Sequence, residues 1–403
     1  MRSGYSLWLA ATLLASPAPA LAQQFNQQSA AKELVEPAMT LTVPRKNDQS
    51  HADDEEAAKK KKKAELLVVP IPMSNPALGT GLTVAAVLFY NPNNAPQPWI
   101  SGVGGGYTST KTWGAGAFHS MSLAHDRARI LAFAGYGDAR LNFYGIGSNA
   151  GEAGVSIDME DKGLVGILDG QARLFKKGGF LGHIYAGARI QYLHLDSTAE
   201  LPPISLPNRP DLVLPPIELK STNIGIGPSF TFDSRNESLN PRKGVYVTGT
   251  WLFGAKFLGG DFSHNKLNFA ANAYFPLSKT TVLGIRKQLC GVKGDAPFYD
   301  LCMFGQQGDL RGYETGRYRD GASWALQAEV RQHLFWKIGV VGFAGVGGIA
   351  ESTSAIWKHS KVLYSGGGGI RFLASKRNNV NLRLDVAWGK DGSAIYFGIG
   401  EAF

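Results

Sequence analysis

Val380-Asn381-Leu382-Arg383-Leu384-Asp385-Val386-Ala387-Trp388 is followed, after a short turn, by Ala394-Ile395-Tyr396-Phe397-Gly398-Ile399-Gly400-Glu401-Ala402-Phe403. Side chains alternate across a strand with a period of two. In the first segment Val380, Leu382, Leu384, Val386 and Trp388 share one face, and Asn381, Arg383, Asp385 and Ala387 share the other. In the second, Ile395, Phe397, Ile399 and Phe403 oppose Ala394, Tyr396, Gly398, Gly400 and Ala402. A soluble sandwich would turn the apolar face to a core. An outer-membrane barrel turns it to lipid and lines a wet lumen with the charged or small face. An aromatic closing the last strand favours the barrel, with Phe397, Ile399 and Phe403 expected to seat that strand during membrane insertion. Glu401 interrupts this apolar register, which places a membrane interface near that end.

The other end of the sequence agrees. Arg2 precedes the apolar run Leu7 to Ala15, then Ser16-Pro17 and the small-residue site Ala20-Leu21-Ala22. This reads as a secretory signal, residues 1–22, cut before Gln23. The run is too short for a membrane-spanning helix. Residues 23–64 are polar and carry Asp53-Asp54-Glu55-Glu56 ahead of Lys59 to Lys63. Acidic residues four positions before lysines suit a short solvated helix, so a polar periplasmic tail or short helix is expected here.

Beyond residue 22 no apolar run reaches about eighteen residues, which excludes a transmembrane helix by sequence. Hydrophobic residues nevertheless make up 44% against 18% charged, with 50 glycines. That balance suits many strands, tight turns and small lumen-facing side chains. The formal charge of +9 would elsewhere suggest nucleic acid. Export makes outer-membrane lipid and lipopolysaccharide the nearer partners, and no nucleic acid is expected. The two cysteines, Cys290 and Cys302, read as a disulfide in an oxidising compartment, because no His or further Cys completes a zinc set. Closing so short a loop stabilises by roughly 3 kcal/mol in the chain-entropy model.

From 65 to 403 strands and turn residues alternate. The pattern predicts sixteen strands: 66–73, 79–89, 99–108, 112–122, 127–137, 161–175, 180–193, 220–232, 244–254, 261–275, 280–290, 322–334, 338–349, 361–373, 379–389 and 394–403. The even count suits a bacterial barrel. The long connections 138–160, 194–219 and 291–321 all fall between odd and even strands, hence on one side of the membrane, as long outer loops should.

No motif calls for a cofactor or metal. Gly145-Ile146-Gly147-Ser148-Asn149-Ala150 lacks the helical pattern that a dinucleotide fingerprint needs. A barrel hydrolase acting on lipids would need a Ser beside a His. His119-Ser120 and Ser263-His264 are neighbours on strands, so each pair points to opposite faces. The expectation is no enzyme and no cofactor.

The most specific string is Gly308-Asp309-Leu310-Arg311-Gly312-Tyr313, followed by Asp320-Gly321 and a strand carrying Glu329-Val330-Arg331. It resembles the BamA/TamA-like bacterial surface antigen family of outer-membrane assembly and translocation barrels. Phe232-Asp233-Ser234-Arg235 with Pro241-Arg242-Lys243-Gly244, Phe143-Tyr144-Gly145-Ile146-Gly147, and the final hairpin carry the same resemblance, in the family's order, over about 64–403. It implies that a long loop folds into the lumen and that Arg311, Gly312 and Tyr313 dock against Glu329 on the inner wall. Family members often carry an aspartate on the next strand, where this chain has Phe343-Ala344-Gly345, so Asp385 is the substitute acidic partner. The resemblance also implies a seam between strands 66–73 and 394–403 that admits an unfolded outer-membrane client or a lipid. The family's periplasmic polypeptide-transport domains have no counterpart in 23–64, so a separate periplasmic partner is the expectation. The alternative is a passive porin or structural surface barrel plugged by its own loop.

Overall fold

The computed structural model describes residues 64–403 apart from 76, 94–98, 176–178, 201–203, 207–208, 213–216, 238–239, 306–308 and 376–378. The expected signal (1–22), nearly all of the tail and Gly308 lie outside the described residues. Sixteen strands form one antiparallel sheet in sequence order. They are β1 Glu65–Asn75, β2 Gly79–Tyr90, β3 Trp99–Thr108, β4 Trp113–Leu123, β5 Ala128–Phe143, β6 Ile157–Arg173, β7 Ile184–Glu200 and β8 Ile217–Asp233. The second half is β9 Gly244–Gly254, β10 Ser263–Pro276, β11 Thr281–Asp295, β12 Ala322–Phe335, β13 Ile338–Ala350, β14 Lys361–Ser375, β15 Val380–Gly389 and β16 Gly392–Ile399. Every neighbouring pair shares a ladder, and β16 returns to lie beside β1. The result is a sixteen-stranded, nearly closed barrel.

The period-two faces decide which way each strand turns. On β12, Ser323, Gln327, Glu329 and Arg331 are buried inside while Leu326 and Val330 are exposed outside. On β15, Asn381, Arg383, Asp385 and Ala387 point inward while Leu382 and Trp388 face out. This is inside-out relative to a soluble fold, and the outward apolar band is what lipid requires. Small inward residues on β3 and β4 leave room for large ones: the Phe118 ring lies over Gly102, where a Cβ would collide with it.

Two expectations about the last strand are corrected. Strand β16 ends at Ile399, and Gly400 takes a φ of 82° with its N–H donating to the carbonyl of Asn381 at 2.7 Å. Left-handed backbone of this kind suits glycine, and here it breaks the alternation. Phe403 therefore leaves the lipid face and is buried against Tyr274 and Val282. Glu401 likewise turns inward, to Arg371 and Asn381, and marks no membrane interface. Phe397 stays on the outward side of β16, partly buried; the Ile399 side chain is not among those described.

The hairpin strands also run further than the sequence pattern predicts toward the long-loop rim. Strands β6, β7 and β8 are 17 residues each, and they absorb parts of 138–160 and 194–219. The 296–321 connection folds into the barrel. Cys290 on β11 and Cys302 in this loop are joined by a disulfide, with Cα atoms 5.7 Å apart. Thiol labelling of unreduced, denatured protein is therefore expected to find neither cysteine, and full labelling would contradict the bond.

Candidate functional site

The inward loop is a folded hairpin. Phe298–Asp300 forms a single 3-10 turn, and Cys302–Met303 then pairs with Arg319–Asp320. The Phe304 N–H donates to the Tyr318 carbonyl at 3.0 Å, and the Thr315 hydroxyl donates to the Gly305 carbonyl at 2.6 Å. Phe304, Leu310, Tyr313 and Tyr318 pack as one buried cluster against Ala325, Ile349 and Leu363 of the wall. An apolar contact of this kind gives the loop a reason to enter the lumen that does not depend on charge.

At the tip, Arg311 is fully buried. Its Nη2 donates to Glu329 Oε2 at 2.8 Å, its Nη1 to Asp385 Oδ2 at 2.9 Å and its Nε to Gln327 Oε1 at 3.2 Å. The guanidinium carbon lies 3.5 Å from the centroid of the Phe343 ring. One planar fork thus meets two carboxylates and an amide edge-on and an aromatic face-on, a combination that only arginine makes. Phe343, on β13, supplies the aromatic face of this site. Gly312 has a φ of 105° and its N–H donates to the Tyr396 hydroxyl at 2.8 Å. A Cβ there would lie 2.8 Å from the backbone nitrogen of Gly389, so both the conformation and the space demand glycine. The Tyr313 hydroxyl donates to the Tyr364 carbonyl at 2.7 Å while its ring meets Tyr318 edge-on.

A roof covers this hairpin. The Tyr144 hydroxyl donates to Glu314 Oε2 at 2.7 Å, and Asn142 Nδ2 reaches Glu314 Oε1 at 3.3 Å. The Gly147 N–H donates to the Arg319 carbonyl at 2.9 Å, and Arg317 Nε donates to the Gly151 carbonyl at 3.0 Å. Glu152, in the short helix Ser148–Ala153 (α1), bridges Lys361 and Lys390.

Residues 214–403, which include the inward hairpin and its wall, match the Omp85 superfamily domain. The C-terminal part of the barrel is thus similar to an Omp85 superfamily domain. Among solved structures its fold is similar to BamA from Haemophilus ducreyi lacking POTRA domains 1-3, at 12% identity and a TM-score of 0.54, covering 93% of this chain and 82% of that one. It is also similar to CdiB from Escherichia coli, at 14% identity and a TM-score of 0.58, covering 95% of this chain and 74% of that one. For CdiB from Acinetobacter baumannii the values are 13% and 0.51, with 83% of this chain and 59% of that one covered. No curated protein sequence is detectably similar. The Omp85 barrel places the chain in the bacterial outer membrane.

The structure brings Arg311, Glu329 and Asp385 of this Omp85-like region together, with Gly312 and Tyr313 beside them. Sequence reasoning missed Gln327 and Phe343, although both carry the inward parity that marks Glu329 and Asp385. It also missed a second buried cluster at the root of the hairpin. There Asp300 accepts from Lys266 Nζ at 2.7 Å, His264 Nε2 at 2.7 Å and Asn223 Nδ2 at 3.0 Å. The two Ser-His pairs do not become dyads. His119 faces outward and meets the Ser101 hydroxyl at 2.9 Å, whereas Ser120 points inward. His264 is buried on Asp300 while Ser263 is exposed. Among the described residues no group of three or more His, Cys, Asp or Glu is placed to hold a metal.

Proposed function

We propose that this barrel passes client polypeptides into or across the outer membrane through the seam between β1 and β16, with the 296–321 hairpin as the plug of its lumen. The observation that carries this reading is the seam: β1 and β16 lie side by side but share no ladder among the described residues. Two strand edges without mutual pairing offer backbone donors and acceptors that an incoming strand can join. Strand β16, at 8 residues, is also shorter than β1, at 11, so little backbone holds that edge. Clients would arrive unfolded through a separate periplasmic partner, and lipid or lipopolysaccharide would surround the outward apolar band. The function uses no cofactor, nucleic acid or catalytic group.

A disulfide tether between a cysteine placed in 66–73 and one placed in 392–399 tests it. In cells depleted of the native protein, the tethered barrel is expected to let outer-membrane client proteins fail to accumulate. Reductant should restore them in the tethered strain and change nothing in the untethered one. Normal client levels with the tether closed would reject passage through the seam.

The folded hairpin in the lumen favours a second reading, a plugged passive channel. Deleting 305–318 would then raise single-channel conductance in planar bilayers while depletion left other outer-membrane proteins unaffected.

A further inference from the structure

The contacts of Arg311 continue beyond its own carboxylates. Glu329 Oε1 accepts from Arg331 Nε at 2.6 Å, and Asp385 Oδ1 accepts from Arg371 Nη1 at 2.5 Å. Both arginines turn to the same third acid: Arg371 Nε lies 2.6 Å and Arg331 Nε 3.6 Å from Glu401 Oε2. The six side chains close into a ring of alternating charge: Arg311, Glu329, Arg331, Glu401, Arg371, Asp385 and back to Arg311. All six side chains are almost wholly buried, and a fourth buried cation, Arg383, flanks the ring with its Nη1 4.0 Å from Asp385 Oδ2.

The members come from different parts of the chain. Glu329 and Arg331 belong to β12, Arg371 to β14 and Asp385 to β15, so four sit on the fixed wall. Arg311 belongs to the loop tip. Glu401 lies two residues beyond the end of β16, the strand that borders the seam. The tip touches that strand directly as well, because the Gly312 N–H donates to Tyr396 of β16 and the Gly312 Cα packs on the Trp388–Gly389 backbone. One loop tip thereby holds the terminal hairpin at its turn, at mid-strand and, through the ring, just past its end.

We propose that the docked tip is the clamp of β16, so that undocking of Arg311 and release of the terminal strand are one coupled transition, with Glu401 as the residue that closes the ring. The physical reason is that each buried charge in the ring is held by the two neighbours it shares. Withdrawing Arg311 takes from Glu329 Oε2 and Asp385 Oδ2 the cation that donates to each, leaving Arg331 and Arg371 to hold both acids with Arg383 only 4.0 Å away from Asp385. Withdrawing Glu401 leaves Arg331 and Arg371 each with a single acid to share with Arg311. Neither end can leave without taking a partner from the residues that hold the other, and buried charges that lose a partner are costly. The inference rests on the seam reading for its use but not for its test.

The experiment is a double-mutant cycle on the full-length protein in native outer membrane, with Arg311→Gln, Glu401→Gln and both. Two readouts are needed: external protease cleavage within 305–318, and amide hydrogen exchange of 392–399. Glu401→Gln is expected to speed loop cleavage roughly tenfold although it lies far from the cleaved segment, and Arg311→Gln to speed exchange in β16 comparably. The double variant should exceed neither single by much. Strictly additive effects, or an Arg311→Gln loop that is loosened while β16 exchanges as in the wild type, would overturn the coupling and leave the docked site standing. Should Glu401→Gln not reach the membrane, Tyr396→Phe removes only the hydroxyl that accepts from Gly312. It is expected to speed both readouts a few-fold, and a response in neither would also overturn the clamp. Client delivery is not a readout, so failure of the seam reading and failure of the clamp are separable.

Discussion

Arg311→Ala is expected to free the inward hairpin, at a cost of about 3–5 kcal/mol to the docked state, and Glu329→Ala is expected to do nearly the same. A surface ion pair would contribute only about 0–1 kcal/mol, but both partners here are fully buried. Removing Arg311 leaves Glu329 with Arg331 alone, and removing Glu329 leaves Arg311 with Asp385 alone. Each single thus takes one charge out of a buried, shared network, which costs more than the pair contributes. The double variant should therefore be little worse than either single, because the second substitution removes the charge that had already lost its partner across the pair. Arg311→Lys should behave as a loss. An ammonium cannot reach Glu329, Asp385 and Gln327 in one plane while stacking on Phe343. Protease cleavage within 305–318 on intact cells measures all four variants. A lysine variant as protected as the wild type, or fully additive singles, would show that the fork geometry is not what holds the tip.

The parts of this architecture that were legible in the sequence are those where chemistry repeats. Strand β15 displays its two faces as plainly in Val380 to Trp388 as it does in the barrel, because lipid and lumen impose opposite demands on alternate residues. The same parity placed Glu329 and Asp385 inward, and the resemblance at Arg311-Gly312-Tyr313 supplied the loop that meets them. Where a single backbone angle decides, the alternation gives no warning. Gly400 turns the chain through a positive φ, and Phe403 and Glu401 move from the lipid side to the interior. Phe343 reads as an ordinary apolar residue until the guanidinium lying on its ring is seen. Asp300 was hidden for a third reason: it sits in a loop with no period, and its partners Lys266 and His264 are on β10 and Asn223 on β8, joined only by the fold.

Asp300→Ala is expected to detach the root of the hairpin as Arg311→Ala detaches its tip, again by about 3–5 kcal/mol, because Lys266 would remain as a buried cation without its counter-charge. The polarity is reversed between the two anchors. At the tip the loop carries the cation and the wall the acids; at the root the loop carries the acid and the wall carries Lys266 and His264. Burial alone would push the Asp300 carboxyl up, but Lys266 and His264 outweigh it and hold the group below its ordinary value of 3.8. A lowered folded value means that this anchor contributes fully above about pH 4 and is lost as the pH falls through the lower, folded value. Acid should thus spare the root at any pH where the unfolded carboxylate is still charged. Pairing Asp300→Ala with Lys266→Met removes that charge pair, with only His264 and Asn223 left to lose an acceptor, and replacing a buried ion pair by apolar groups is neutral or stabilising as often as not. The double variant is expected to recover most of the heat resistance that Asp300→Ala loses, read as the temperature at which the detergent-solubilised barrel unfolds. The Cys290–Cys302 bond keeps the loop attached next to this site in every variant, so the comparison reports the charge pair and not loss of the whole arm. If Asp300→Ala and the double variant unfold together, well below the wild type, the stranded lysine is not the cause and the root is held by packing of Phe298 and Tyr299 instead.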